Sequence, residues 1–221
     1  MTSLLLVEDD TVIRESLGLA LARYGYRMTT VADGLGGLEA ARAGGHDLLL
    51  LDVMLPGLDG IGLCRRVRET SQVPILMMSA RGDSLDVVSG LEAGADDYVV
   101  KPVDLPVLVA RIRSLLRRTT PSAPSSGLLT FGELTVDPAA LEVRLGGRLV
   151  ELAPSELRLL LEFAANPGIV LERATLLRNV WDYGWDGDSR VVDLCVQRLR
   201  RKIGTDRIET VRGFGYKLRR S

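Results

Sequence analysis

At 221 residues, with 46% apolar and 26% charged side chains, the chain has the length for two compact domains and none of the bias of a fibrous or disordered protein. Two distant cysteines, Cys64 and Cys195, and a single histidine, His46, exclude a disulfide framework and a zinc-finger ligand set. The formal net charge of −1 excludes a uniformly acidic or basic protein, yet it hides a gradient: 13 basic against 16 acidic residues over 1–118, and 15 against 13 over 129–221.

The chain opens with LLLV at 4–7, which predicts a buried strand running directly into Glu8, Asp9 and Asp10. This apolar run is too short to span a bilayer, and it meets acids where a secretory signal needs small residues, so a cytoplasmic location and no membrane contact are expected. Three adjacent carboxylates make one another costlier to ionise, which points to a cation at the strand's end. A helix follows near 11–23, a strand at 27–31, a helix near 35–43 and the apolar strand DLLLLD at 47–52. Then come a helix near 60–69, a strand VPILMM at 73–78, a helix near 84–93, a strand DYVV at 97–100 and a helix near 104–118. Five strands alternating with five helices predict a parallel sheet covered on both faces.

In such a sheet, ligands gather outside the carboxyl ends of the strands, near the point where strand order reverses. Asp52 ends the third strand, Ser79 the fourth, and Lys101 follows the fifth, so one edge collects carboxylates, a hydroxyl and an ammonium. Taken singly, each has a plain structural reading: Asp10 as a helix N-cap, Ser79 as a turn cap, Lys101 as a solvated base. Their coincidence at the ends of separate strands favours a site.

TTPSAPSSG at 119–127 carries no charge and no large apolar side chain; it predicts a linker over 119–128 between a domain at 1–118 and another at 129–221. Beyond it, 129–152 alternates apolar and polar residues around the turn signals DPAA and GG, as an antiparallel meander does. Helices are expected at 154–165, 172–180 and 189–203, then a hairpin, IETVRGFGYKL. From Ser189 onward there are ten bases and three acids, a block suited to a polyanion. At 100° per residue the last helix places Val192, Val196, Leu199 and Ile203 on a core stripe and Arg190, Leu194, Gln197, Arg198 and Arg201 opposite it. The second set is expected to face a DNA groove, with Arg198 reading guanine, Gln197 reading adenine or a phosphate, and an exposed Leu194 against a thymine methyl.

LLVED, LLLLDVMLPGLDG, ILMMSA and GADDYVVKP, in this order and spacing, resemble the receiver domain of two-component response regulators over residues 3–118. ELAPSELRLL, RVVDLCVQRLRRKI and TVRGFGYKL resemble the winged helix-turn-helix effector of the OmpR/PhoB subfamily. The resemblance implies a flavodoxin-like (βα)5 domain followed by an α+β winged-helix domain. It implies that Asp52 accepts a phosphoryl group from a sensor histidine kinase. Mg2+ would be held by Glu8, Asp9, Asp52 and the Met54 backbone carbonyl, while Lys101, next to a cis bond to Pro102, would pair with the phosphoryl oxygens. Ser79 and Tyr98 would be the switch pair, and Arg212 at the hairpin tip would enter a minor groove of promoter DNA.

The resemblance also implies a dimer made on phosphorylation through the fourth helix, fifth strand and fifth helix. Where many relatives have an ion pair, this chain has Val87 and Val107; other pairs are expected between Asp97 and Arg111 and between Glu92 and Arg113, around Val88, Leu91 and Ala110. Met54 and Arg81 offer no carboxylate or amide to orient a water, which implies slow loss of the phosphoryl group. In the hairpin, Phe214 and Tyr216 are expected to pack structurally, and the DYGWDGDS loop at 182–189 is a candidate contact for RNA polymerase. A phosphatase of the haloacid dehalogenase type would also use an aspartyl phosphate, but it needs a second acid two residues after the nucleophile, where this chain has Met54. An interaction-only module is disfavoured by the complete set of acids, hydroxyl and lysine.

Overall fold

The computed structural model describes residues 1–80, 84–116, 127–181 and 189–220, with backbone only at 84–86. The chain divides into two compact units, Met1–Leu116 and Arg117–Ser221. Residues 117–126, which include most of the expected linker, lie outside the described residues, as do Arg81 and 182–188 of the DYGWDGDS loop.

The first unit alternates β1 (Ser3–Val7), α1 (Thr11–Arg23), β2 (Arg27–Val31), α2 (Gly34–Ala43), β3 (Leu48–Asp52), α3 (Gly60–Arg68), β4 (Ile75–Ser79), α4 (Ser84–Glu92), β5 (Asp97–Val100) and α5 (Leu105–Leu116). The strands form one parallel sheet in the order β2-β1-β3-β4-β5, the flavodoxin-like arrangement, with order reversing between β1 and β3. β1, β3 and β4 are buried along their whole length because helices cover both faces, which is why they read as continuous apolar runs. β2 at the edge is mostly exposed. Leu4, Leu6, Leu48, Leu50, Leu76 and Met78 pack with Leu108, Ile112 and Leu115 of α5 in one core.

The helices α1, α2 and α3 each start on an aspartate whose side chain caps them. Asp10, Asp33 and Asp59 accept from the backbone N–H of Ile13, Gly36 and Gly62, each cap contributing about 1 kcal/mol. The fourth strand begins at Ile75, two residues later than VPILMM suggested: Pro74 has no N–H to give the ladder, and only its carbonyl joins, accepting from Leu49. Asp96, fully buried, accepts from the Ile75 N–H at 2.9 Å and from Arg68 at 2.7 Å, tying α3 to the start of β4 and β5.

The second unit begins with an antiparallel meander, β6 (Leu129–Phe131), β7 (Leu134–Asp137), β8 (Glu142–Leu145) and β9 (Arg148–Leu149). Helices α6 (Pro154–Ala165), α7 (Arg173–Trp181) and α8 (Arg190–Ile203) follow, then the hairpin β10 (Ile208–Val211) and β11 (Gly215–Leu218). Its core joins Leu159, Leu160 and Phe163 with Trp181, Val192, Val196, Leu199 and Ile203, all close to fully buried. Leu171 exchanges backbone hydrogen bonds with Tyr216 at 2.8 and 3.1 Å, attaching the hairpin to the body. This approach requires glycine at 215, where an added Cβ would stand 2.1 Å from the Leu171 carbonyl oxygen.

Gly60 makes a similar demand at the sheet's carboxyl edge. Its N–H donates to the Val53 carbonyl at 3.0 Å, and a Cβ there would fall 1.9 Å from the Asp52 backbone oxygen. Gly60→Ala is expected to destabilise the first unit by at least about 1–3 kcal/mol, read as a lower urea midpoint for that unit's transition.

Candidate acidic site and nucleic-acid interface

The carboxyl edge of the parallel sheet gathers the residues named from the sequence. Glu8 leaves β1 and is 1% exposed; Asp52 closes β3 and is 4% exposed; Asp9 is open to solvent. One carboxylate oxygen from each lies within 4.8 Å of the others. Lys101, just past β5, brings Nζ to 2.6 Å from Glu8 Oε2 and 3.1 Å from Asp52 Oδ1. The second contact attracts by charge but is not aligned as a hydrogen bond, so the buried Oδ1 has no hydrogen-bond partner among the described residues. The Lys101 backbone N–H donates to the Ser79 carbonyl at 2.7 Å, and the bond to Pro102 is cis.

Burial holds the Glu8 carboxyl above the usual value of 4.5; the Lys101 ammonium pulls it down, and the charges of Asp52 and Asp9 push it up again. Asp10 takes no part in this cluster, its side chain being spent on the α1 cap. Arg14, which the sequence reading passed over, donates to the backbone carbonyls of Glu8 and Asp9 at 2.8 and 2.9 Å and so fixes the acidic turn. Its signal was positional: a base one turn into the helix after three acids. Ser79 is buried at the end of β4, Tyr98 is half-buried on β5, and the Met54 side chain is 59% exposed beside the site.

On the face of α4, β5 and α5, Glu92, Val107, Ala110 and Arg113 are exposed and Val88 is partly so. Val87 and Leu91, expected to face a partner, are buried in this chain at 4% and 1% exposure. Asp97 and Arg111, expected to pair across two chains, pair within one: Arg111 Nη1 donates to Asp97 Oδ2 at 3.1 Å.

α8 also departs from the helical-wheel expectation. Arg190 is partly exposed and Gln197 and Arg201 are exposed, but Leu194 and Arg198 are each only 8% exposed. The buried arc of α8 is wider than one core stripe, because Val191 and Cys195 are also inside it. Arg198 is drawn to Glu156, a buried acid near the start of α6, at 3.4 Å, and Lys202 reaches the same acid at 2.7 Å. A wheel built from one helix cannot register a buried acid on its neighbour. In the hairpin, Phe214 donates its N–H to the Val211 carbonyl at 3.0 Å around Gly213, whose φ is 79°. This turn leaves Arg212 exposed and Phe214 67% exposed, against the expectation that Phe214 packs; Tyr216 does pack, at 5% exposure.

A doubly wound sheet with an acid and lysine cluster at its carboxyl edge, joined in one chain to a basic winged helix-turn-helix module, defines a two-component response regulator that acts on transcription. The model of the response regulator receiver domain matches residues 4–113, and that of the C-terminal part of transcriptional regulatory proteins matches 147–218. The chain is 61% identical over 230 residues to the transcriptional regulatory protein CseB of Streptomyces avermitilis, covering 99% of this chain and 98% of that one. It is 40% identical over 223 residues to the response regulator ArlR of Staphylococcus aureus, covering 99% and 100%. Among solved structures it is similar to DrrB, a Thermotoga maritima OmpR/PhoB homologue, at 33% identity and TM-score 0.53 over 99% of both chains. It is also similar to a mutant of RitR at 26% identity and TM-score 0.77 over the full length of both. The chain belongs to the OmpR/PhoB family of response regulators. Among the described residues no helix is long and apolar enough to cross a membrane.

Because the folded environment raises the Glu8 pKa, its contribution to stability is present in acid and is lost as pH rises above 4.5 through the raised value. In metal-free buffer, Glu8→Gln is therefore expected to gain stability relative to the parent as pH rises toward neutrality, measured as the difference in thermal midpoint.

Proposed function

We propose that Asp52 accepts a phosphoryl group from a sensor histidine kinase in a Mg2+-dependent reaction, and that this promotes receiver pairing and binding to tandem half-sites in promoter DNA. The observation that carries the reading is the placement of Asp52: buried, ion-paired to Lys101 and crowded by Glu8 and Asp9. A neutral or singly acidic strand end would not need a divalent cation; three carboxylates around a buried oxygen with no hydrogen bond fit one well. Glu8, Asp9, Asp52 and the Met54 backbone carbonyl would hold Mg2+, which, when bound, offsets the crowded negative charge and shields the incoming phosphoryl oxygens.

The chain's own residues then have simple tasks. An Asp52 carboxylate oxygen bonds to phosphorus as the P–N bond to the kinase imidazole breaks, and the imidazole keeps the bonding pair. Lys101 stabilises charge on the transferred oxygens, since its ammonium already stands 3.1 Å from Asp52 Oδ1. The Ser79 hydroxyl donates to a phosphoryl oxygen, and the Tyr98 ring turns inward as the Ser79 loop moves.

Pairing would use the exposed Val107, Ala110, Glu92 and Arg113 and the partly exposed Val88, with Val87 and Leu91 supporting the face from beneath. The internal Asp97–Arg111 pair would have to exchange partners. On DNA, Arg190, Gln197 and Arg201 face the major groove and Arg212 the minor groove, while base contacts by Arg198 and Leu194 require their burial to be relieved. A two-fold dimer occupies half-sites about one helical turn apart. Outside the membrane and within the cytoplasm, the remaining partner would be RNA polymerase.

Incubation with acetyl phosphate and Mg2+ is expected to add the mass of one phosphoryl group to the parent and none to Asp52→Asn; an unchanged intact mass of the parent overturns the reading. Beryllofluoride with Mg2+ is expected to shift the micromolar protein from monomer to dimer in sedimentation velocity, and Val107→Glu to abolish that shift.

A further inference from the structure

One polar cluster joins three elements of the DNA-binding domain at once. Asp193, on α8, accepts hydrogen bonds at 2.7 Å from Arg173 Nε at the start of α7 and at 2.7 Å from the Tyr216 hydroxyl on β11. Arg173 Nη2 donates to the same hydroxyl at 3.2 Å, and its guanidinium stands 4.8 Å from the centre of the Tyr216 ring. Two helical turns along α8, on the same stripe at 100° per residue, Arg200 grips β10. It donates to the Ile208 carbonyl at 2.6 Å and to Thr210 Oγ1 at 2.8 Å, and it lies 5.6 Å from that ring.

The hairpin needs such a grip. A two-stranded ribbon is marginal alone, and the backbone hydrogen bonds that tie this one to the body are the pair between Leu171 and Tyr216 and one from the Gly168 N–H to the Leu218 carbonyl at 2.8 Å. These bonds hold β11 to the segment at 168–171 and none of them reaches α8, so the contact with α8 is made by side chains. We infer that Asp193, acting with Arg173, Tyr216 and Arg200, is a positioning residue that sets the wing against the recognition helix so that α8 and Arg212 reach adjacent grooves together. The inference rests on the DNA-binding reading of this domain.

Charge points the same way. Asp193 is the sole acid in the α8 sequence RVVDLCVQRLRRKI and lies beside the exposed face that carries Arg190, Gln197 and Arg201. An unpaired acid there would repel phosphates and weaken binding. Pairing with Arg173 offsets its charge, and the tyrosine hydroxyl gives its oxygen a structural use. Burial and the nearby Asp193 carboxylate hold the Tyr216 hydroxyl above its usual 10.0, so it stays a proton donor at neutral pH.

The test uses the full chain and a duplex that the parent selects from a random-sequence pool, with affinity read by anisotropy and groove contacts by hydroxyl-radical footprinting. Asp193→Ala removes a negative charge from a phosphate-facing surface, so a purely electrostatic role predicts tighter binding. Positioning predicts binding about tenfold weaker, with minor-groove protection lost and major-groove protection kept. Arg212→Ala is expected to cost about tenfold in the parent and close to nothing in the Asp193→Ala background, because the wing is already misplaced. Asp193→Asn, still an acceptor, restores part of the coupling. Tyr216→Phe keeps the ring and removes only the hydroxyl; it is expected to shrink the Arg212→Ala penalty in the same direction, and it decides the matter if Asp193→Ala fails to fold. Tighter binding by Asp193→Ala, or a full Arg212→Ala penalty in the Asp193→Ala or Tyr216→Phe background, overturns the inference. A parent that selects no duplex removes the DNA-binding reading, and this inference with it.

Discussion

The receiver's site depends on one ammonium shared between two buried carboxylates. Glu8 and Asp52 are almost wholly out of water, and a buried carboxylate charge is costly without a partner. Lys101 supplies that partner, but it comes from the strand three places away from β1 in the sheet, roughly 14 Å by ordinary strand spacing. Only a long, flexible base can reach that far, whereas a shorter one would leave Glu8 uncompensated. The same reach places the ammonium 3.1 Å from Asp52 Oδ1, so one side chain serves both buried acids.

The surroundings of that contact are built to hold the strand ends still. Asp10 caps α1, Arg14 clamps the Glu8 and Asp9 carbonyls, and Gly60 lets α3 start against the Asp52 backbone. None of these three contacts is made with the Asp52 carboxylate. Together they restrict the freedom of three carboxylates that would otherwise move apart under mutual repulsion. Burial above all, with the charges of Asp52 and Asp9 adding to it, keeps the pKa of Glu8 raised in spite of Lys101.

In the DNA-binding domain the basic residues divide into two groups by what lies opposite them. Arg198 and Lys202 converge on the buried Glu156, Arg173 on Asp193, and Arg200 on β10, so they hold helices and hairpin together. Arg201 and Arg212 remain at the surface. A local count of ten bases therefore overstates the charge available to a polyanion, because part of it is used inside the domain.

Much of this was legible in the residues. The parallel sheet, its strand ends and the three carboxylates with Lys101 followed from apolar runs bounded by acids, since a strand buried on both faces has to be apolar throughout and its polar neighbours mark the edge. The start of β4 was misplaced because apolarity does not reveal that Pro74 lacks a donor until the ladder is drawn. Helical periodicity found the core stripe of α8 but misjudged Leu194 and Arg198, and hairpin reading misjudged Phe214. In each case exposure depends on what packs alongside from elsewhere in the chain. The sequence by itself determined the alternation of elements, the family and the inventory of charged groups, all of which are local in the chain. Only the tertiary structure decided which charges meet: Lys101 with Glu8, Arg111 with Asp97, Arg198 with Glu156 and Asp193 with Tyr216 are partners brought together by strand order and helix packing, and no spacing along the chain encodes those distances.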